Sequence, residues 1–244
     1  MNDFFELQKK IKYIKKLGWI KCNNNYSNVA GITLEKLIGK EIENFPIPDY
    51  NGIEIKTKCK NSRSRISLFS ATPDSFLFEN KRLVALYGYP DKQLPKYNVL
   101  NNSVSSKTLT YIGNNRNLGI EVDWNNKKVI LNVYRGQLEI IDNLTSWSFE
   151  LIEEKVNLKL KKLCYVTADK LNYKNNTYVK YISDYYYNIK DINTFFKLIE
   201  DGTIWITFKL GIFKTGKKIG MLHDHGTSFE IYQKDLEKLY NKIP

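Results

Sequence analysis

The chain has 244 residues, 42% of them hydrophobic and 14% aromatic, which excludes a disordered chain and allows one large domain with a substantial core. Its 38 Lys and Arg against 26 Asp and Glu leave a net charge of +12, which favours a polyanionic partner, either nucleic acid or an anionic membrane surface. No apolar run approaches the roughly 20 residues of a membrane span, and the opening MNDFFELQKK lacks a signal peptide's apolar stretch, so a cytoplasmic location is expected.

Phe4, Leu7, Ile11 and Ile14 recur at helical spacing and Gly18 stops the pattern, which predicts a first helix. A polar turn leads to AGITLEKLIGKEI, where Leu34, Leu37 and Ile38 predict a short second helix with Glu35 beside the stripe. Gly52 to Thr57 reads as a strand, and RISLFSA as another beyond a loop containing Arg63 and Arg65. From residue 108 onward the pattern is mostly strand. GIEVDW and KKVILNVY flank Asn125-Asn126, a tight hairpin turn, and KLCYVTADK and TYVKYIS follow. Asp191 is placed to cap a helix that Gly202 ends, TIWITFKLG is a strand, and YQKDLEKLYNKI predicts a closing amphipathic helix. No linker or repeat divides the chain, and the expected class is mixed α and β with helices on a central sheet.

Cys22, Cys59 and Cys164 are too widely spaced for a zinc site and read as reduced bystanders. Abundant Lys, Asn, Ile and Tyr suggest A·T-rich coding, which accounts for part of the basic charge. The tyrosine-rich YISDYYYN suits core packing, with contact to a nucleic-acid backbone or base as the alternative.

One strand carries an unusual pairing. In PIPDYNGIEIKTKCK the alternation puts Ile53 and Ile55 on one face and Glu54 and Lys56 on the other, just after Asp49. A half-buried strand with a solvated outer side has the same pattern. Read as a site, Asp49 and Glu54 can hold Mg²⁺ with the Ile55 carbonyl as a further ligand, and Lys56 lies beside the attacking water and the phosphate. That is the chemistry of phosphodiester hydrolysis.

Pro48-Asp49, four residues, Glu54, one residue and Lys56 is similar to the signature of the PD-(D/E)xK nuclease superfamily. With GITLEKLIG upstream, an Arg-rich loop and SLFS downstream, and the late HDHGTSFEI, the chain resembles the MvaI/BcnI family of type II restriction endonucleases, in the MutH-like branch. The resemblance implies a restriction-endonuclease-like, MutH-like fold: an α/β (mixed α+β) domain with a central mixed β-sheet flanked by helices. It implies a single endonuclease domain over 1–244, with a catalytic part over about 1–110 and a DNA-recognition part over about 111–244 forming a cleft. It further implies a monomeric, Mg²⁺-dependent enzyme, with Mn²⁺ able to substitute, that cuts double-stranded DNA at a short site. A cognate DNA methyltransferase protects the host sites. Asp49 and Glu54 become metal ligands, Lys56 the catalytic lysine, and Glu35 a residue at the edge of the site. Glu35 is equally a solvated helix position paired with Lys36 or Lys40.

His223 and His225, the only histidines, are two ligands without a third, which is poor zinc chemistry. Imidazole can instead donate to guanine N7 or O6. Two positions depart from the family pattern: Glu230 stands where a basic residue is usual, and Lys209 where an arginine is expected. Glutamate accepts from cytosine N4, so CCNGG-type targets do not transfer. Lys58, Lys60, Arg63 and Arg65 form a basic loop suited to the DNA backbone. A MutH-like nicking endonuclease of mismatch repair and a non-catalytic basic DNA-binding module are the competing readings.

Overall fold

The computed structural model describes residues 4–39 and 47–243. Lys40, and with it the expected end of the second helix through residue 42, lies outside the described residues. In chain order the elements begin α1 (Phe5–Lys16), β1 (Ile20–Lys21), α2 (Val29–Ile38), β2 (Ile53–Cys59), β3 (Ile66–Ser70) and α3 (Glu79–Tyr87). The short strands β4 (Tyr89–Pro90), β5 (Asn98–Val99), β6 (Ser103–Val104) and β7 (Thr110–Gly113) follow. Next come β8 (Arg116–Asp123), β9 (Lys128–Arg135), β10 (Glu139–Ser148), α4 (Phe149–Lys159), β11 (Lys162–Tyr173) and β12 (Asn176–Ile189). The chain closes with α5 (Ile192–Glu200), β13 (Ile204–Ile212), β14 (Leu222–Ile231), α6 (Leu236–Leu239) and β15 (Tyr240–Ile243).

These elements form two compact units that interleave along the chain: residues 1–66, 157–190 and 240–244 in one, 67–156 and 191–239 in the other. The border expected near residue 110 falls inside the second unit. The reason is topological. β2 and β11 pair in parallel, which requires a long crossover between them, and most of the second unit sits in that crossover.

The first unit is a five-stranded mixed sheet, β1-β12-β11-β2 with β15 also on β12. One sheet face carries Ile53, Ile55, Cys164, Val166, Tyr181 and Tyr186, and it packs with Leu7, Ile11 and Ile14 of α1 and Val29, Leu34 and Ile38 of α2. Gly39 ends α2 at φ +89°, a left-handed conformation open to glycine at no steric cost. Leu37, expected in the stripe of α2, is exposed, and Val29 and Ala30 take that role. Tyr181, Tyr186 and Tyr187 are buried, as core packing requires.

The closing helix is cut short. α6 has four residues, and from Tyr240 the chain becomes a strand paired antiparallel to β12. Burial of Tyr240 and the backbone bonds to the edge of β12 that faces away from β11 outweigh the local helical pattern.

The second unit has two four-stranded sheets, β10-β9-β8-β7 and β3-β14-β13-β6, and the ribbon β4-β5. β13 alternates strictly, with Ile204, Ile206, Phe208, Leu210 and Ile212 buried. The Asp191 carboxylate accepts from Thr194 N–H at 2.8 Å, and α5 buries Phe195, Phe196, Leu198 and Ile199. Asp123 accepts from Asn126 N–H at 2.9 Å and closes the β8-β9 hairpin.

The helix α3 gives no apolar stripe in the sequence because half of what it buries is polar. Arg82 donates to Glu79 at 2.7 Å and to Asp142 of β10 at 2.7 Å, and Tyr87 donates to Asp142 at 2.6 Å. Burial pushes the Asp142 carboxyl up, but the bonds from Arg82, Tyr87 and Leu144 N–H more than offset this and hold it below the ordinary carboxylate range.

Candidate active site

The acid–lysine strand is not solvated. Glu54 is 3% exposed, and its Oε1 accepts from Lys56 Nζ at 2.6 Å. Its Oε2 is buried with no hydrogen-bond partner among the described residues. A buried carboxylate oxygen left unpaired is costly, which sets this strand apart from an ordinary half-buried one.

Asp49 reaches the same strand through a tight turn. Asn51 and Gly52 both take positive φ, +44° and +79°, and Tyr50 and Ile53 exchange backbone bonds of 3.0 and 2.8 Å. Asp49 Oδ2 then accepts from Ile55 N–H at 2.8 Å. β11 covers one side of β2, so this bond lies on the strand's other edge. In an extended strand the N–H and C=O of one residue leave on the same side, so the Ile55 carbonyl opens beside Asp49. Two carboxylates, one with an orphaned oxygen, and an edge carbonyl form an oxygen-only donor set that fits a hard divalent cation retaining waters. No cluster of three or more His, Cys, Asp and Glu arranged to hold a metal occurs among the described residues.

Glu54 and Lys56 share their sheet face with tyrosines. In the parallel register Leu163 stands beside Glu54 and Tyr165 beside Lys56, with Tyr187 and Tyr185 next in line on β12. Tyr165 is 1% exposed, stacks on Tyr185 at 6.4 Å, and its buried hydroxyl has no partner among the described residues. Burial, with the neighbouring Tyr187 and Tyr185, pushes its pKa up to about 12. Tyr240 also buries an unpartnered hydroxyl, and burial together with the charge of Glu54 raises its pKa.

The other predicted residues fall into separate groups. Glu35 is half-buried on α2, the helix packed on β2, and its charge is felt by Tyr181, whose hydroxyl donates to Ala30 O at 2.8 Å. In the basic loop, Lys60 and Arg63 are exposed, Arg65 is half-buried, and Lys58 turns back to Ser64.

In the second unit a bulge between Phe208/Leu210 and Thr227/Asp224 interrupts the β13-β14 register, with Gly226 at φ +83°. The Asp224 carboxylate accepts from Gly226 N–H and from Asn80 Nδ2, both at 2.7 Å. On either side of Asp224 the rings of His223 and His225 lie 3.8 Å apart, and Phe213 stacks on His223 at 4.1 Å. Glu230 is 8% exposed and bridges two donors, Lys209 Nζ at 2.9 Å and the Thr207 hydroxyl at 2.9 Å.

The profile of the MvaI/BcnI restriction endonuclease family matches residues 8–240. The chain belongs to that family. Among solved structures, the restriction endonuclease MvaI–cognate DNA substrate complex is similar over 100% of this chain and 98% of that one, with 30% identity and a TM-score of 0.90. Restriction endonuclease MvaI in the absence of DNA is similar over 100% and 97%, with 29% identity and a TM-score of 0.65. No curated protein matches the chain.

In this member of the MvaI/BcnI family, sequence reasoning singled out Asp49, Glu54 and Lys56 but not Tyr165, Tyr240 and Phe213, which the structure sets near predicted residues. Only strand register puts Tyr165 next to Lys56 across more than a hundred residues of chain. Tyr240 was hidden by the helical pattern around it. Phe213 did have a signal: the hairpin centred on Gly216-Lys217 turns its strand back along His223.

Proposed function

We propose that the chain is a Mg²⁺-dependent type II restriction endonuclease that hydrolyses double-stranded DNA at a short specific site, with Mn²⁺ able to replace Mg²⁺. The observation that carries this reading is the buried Glu54, with one oxygen on Lys56 at 2.6 Å and the other unpartnered among the described residues, on the strand to which Asp49 is tied through the Ile55 amide. Its support from outside the chain is the similarity to MvaI captured with its cognate DNA substrate. Asp49, Glu54 and the Ile55 carbonyl would hold the metal. When bound, the metal supplies positive charge at the scissile phosphate and a more acidic water. Lys56 keeps an ammonium beside the phosphate and stabilises the charge that develops as the bond breaks. Glu35 lies at the edge of the site. Lys58, Lys60, Arg63 and Arg65 grip the backbone, which makes binding salt-dependent.

Base reading falls to His223, His225, Lys209 and Glu230. Both Glu230 oxygens already have protein donors, so its first effect is to hold the Lys209 ammonium in place. The enzyme acts in the cytoplasm as a monomer, nicks one strand and then rebinds to cut the other. A cognate methyltransferase protects the host sites.

The test is digestion of a large unmethylated phage DNA with Mg²⁺ and, in parallel, with EDTA, followed by sequencing of the fragment ends. Discrete Mg²⁺-dependent fragments with one common end sequence are expected, with nicked circles appearing transiently on supercoiled plasmid. DNA left intact in both arms overturns the proposal, and accumulation of nicked circles without linear product moves it to a MutH-like nickase.

A further inference from the structure

Among the described residues Lys56 pairs with Glu54, which is also a proposed metal ligand. Its Nζ sits on Glu54 Oε1 at 2.6 Å. A carboxylate that turns its oxygens to a divalent cation loosens its hold on the ammonium, because the same lone pairs serve both. A half-buried ammonium released in this way needs another acceptor close by.

The neighbouring strand supplies one. Tyr165 is the parallel-register neighbour of Lys56, so the two side chains leave the same face of adjacent strands, about 5 Å apart at their bases. A tyrosine and an extended lysine place their polar ends at similar heights above a sheet. The Tyr165 hydroxyl is buried and unpartnered among the described residues, in a side chain 1% exposed. Stacking on Tyr185 at 6.4 Å braces the ring. A buried hydroxyl kept without a partner is a cost that a phenylalanine would avoid, and such costs concentrate where a group is needed in another state of the site.

We propose that Tyr165 is a positioning residue for Lys56: its phenol oxygen accepts the ammonium when Glu54 turns to the metal, so that the lysine stays beside the phosphate. This rests on the nuclease reading above and adds a residue to it. Tyr165 does not touch DNA or metal. It acts by giving Lys56 a second seat.

Tyr165→Phe removes the oxygen and keeps the ring. Without metal it should match the wild type or melt about 2–4 °C higher, since it deletes an unpaired buried hydroxyl. DNA affinity should stay within about 2-fold while the single-turnover cleavage rate falls about 10-fold, and Tyr185→Phe should change neither. A second readout needs no turnover. Amine acylation of Lys56, mapped by mass spectrometry on DNA-free protein, should be insensitive to Mg²⁺ in the wild type and rise several-fold with Mg²⁺ in Tyr165→Phe. A Tyr165→Phe enzyme with wild-type cleavage and labelling overturns the role of Tyr165 and leaves the nuclease reading standing. A wild type that does not cleave DNA, or a Lys56→Ala variant that cleaves as the wild type does, overturns both.

Discussion

Two Glu–Lys pairs, one in each unit, show how similar side chains serve different ends. Glu230 of β14 and Lys209 of β13 pair diagonally between neighbouring strands, and the carboxylate places one oxygen on the lysine and the other on Thr207. Glu54 and Lys56 sit on one strand, and the carboxylate places one oxygen on the lysine and leaves the other buried and unpaired among the described residues. A carboxylate with both oxygens supplied by its own chain is a finished ion pair, suited to holding a neighbour in place. One with an oxygen in reserve has room for a ligand from outside, although the structural Glu79 of α3 keeps such an oxygen too. Burial alone does not separate the two, since Glu54 is 3% exposed and Glu230 8%. What separates them is whether the hydrogen-bonding capacity is filled.

That contrast can be broken by substitution. Glu54→Gln should lower cleavage by roughly 10³-fold or more while specific DNA binding survives, because the role proposed for Glu54 is to hold the metal at the scissile phosphate and not to read bases. Glu230→Gln should do the reverse, costing about 1–3 kcal/mol of discrimination at one base pair with the cleavage rate on the best site little changed. Sequencing the cut ends from both variants decides it, and equal loss of rate in the two would erase the distinction.

The buried network of α3 is a third case: Glu79 places one oxygen on Arg82, and its other oxygen is also buried without a partner among the described residues. Arg82→Met should destabilise the protein by about 3 kcal/mol in urea unfolding, since it strands Glu79 and Asp142. Asp142 is held below its ordinary range in the folded protein, so its contribution is complete above the unfolded carboxylate pKa of about 3.9 and is lost as pH falls through the folded value. Urea midpoints measured below pH 4 should therefore fall more steeply in the wild type than in Arg82→Met.

Smaller effects belong to the surface. Asp191→Ala should cost about 1 kcal/mol by removing the cap of α5, without altering cleavage at low temperature. Lys60→Ala with Arg63→Ala should weaken DNA binding uniformly across sequences and reduce the slope of log K against log salt by about 1 for each phosphate that is no longer neutralised. An unchanged slope would assign the basic loop to solvent.

Local pattern carried much of this in advance. The stripe Leu7, Ile11 and Ile14, the cap at Asp191, the turn at Asn125-Asn126 and the alternation of β13 depend on neighbours within a few residues, where spacing and side-chain chemistry are enough. The acid–lysine strand was legible for the same reason, because Asp49, Glu54 and Lys56 lie within eight residues. α3 was illegible because a helix whose buried face is Glu, Asn and Leu has no apolar period, and its partners Asp142 and Thr145 arrive from β10.

Short-range chemistry alone dictates which groups stand at the head of β2 and in what order, since period-two alternation and a tight turn need nothing beyond neighbouring residues. Long-range pairing set the rest: that the Glu54 face is buried, that Tyr165 lies beside Lys56, and that Tyr240 begins a strand where the local pattern is helical. Each depends on a pairing partner far away in the chain, and the free energy of closing such a pair comes from the surface it buries, which no local window contains.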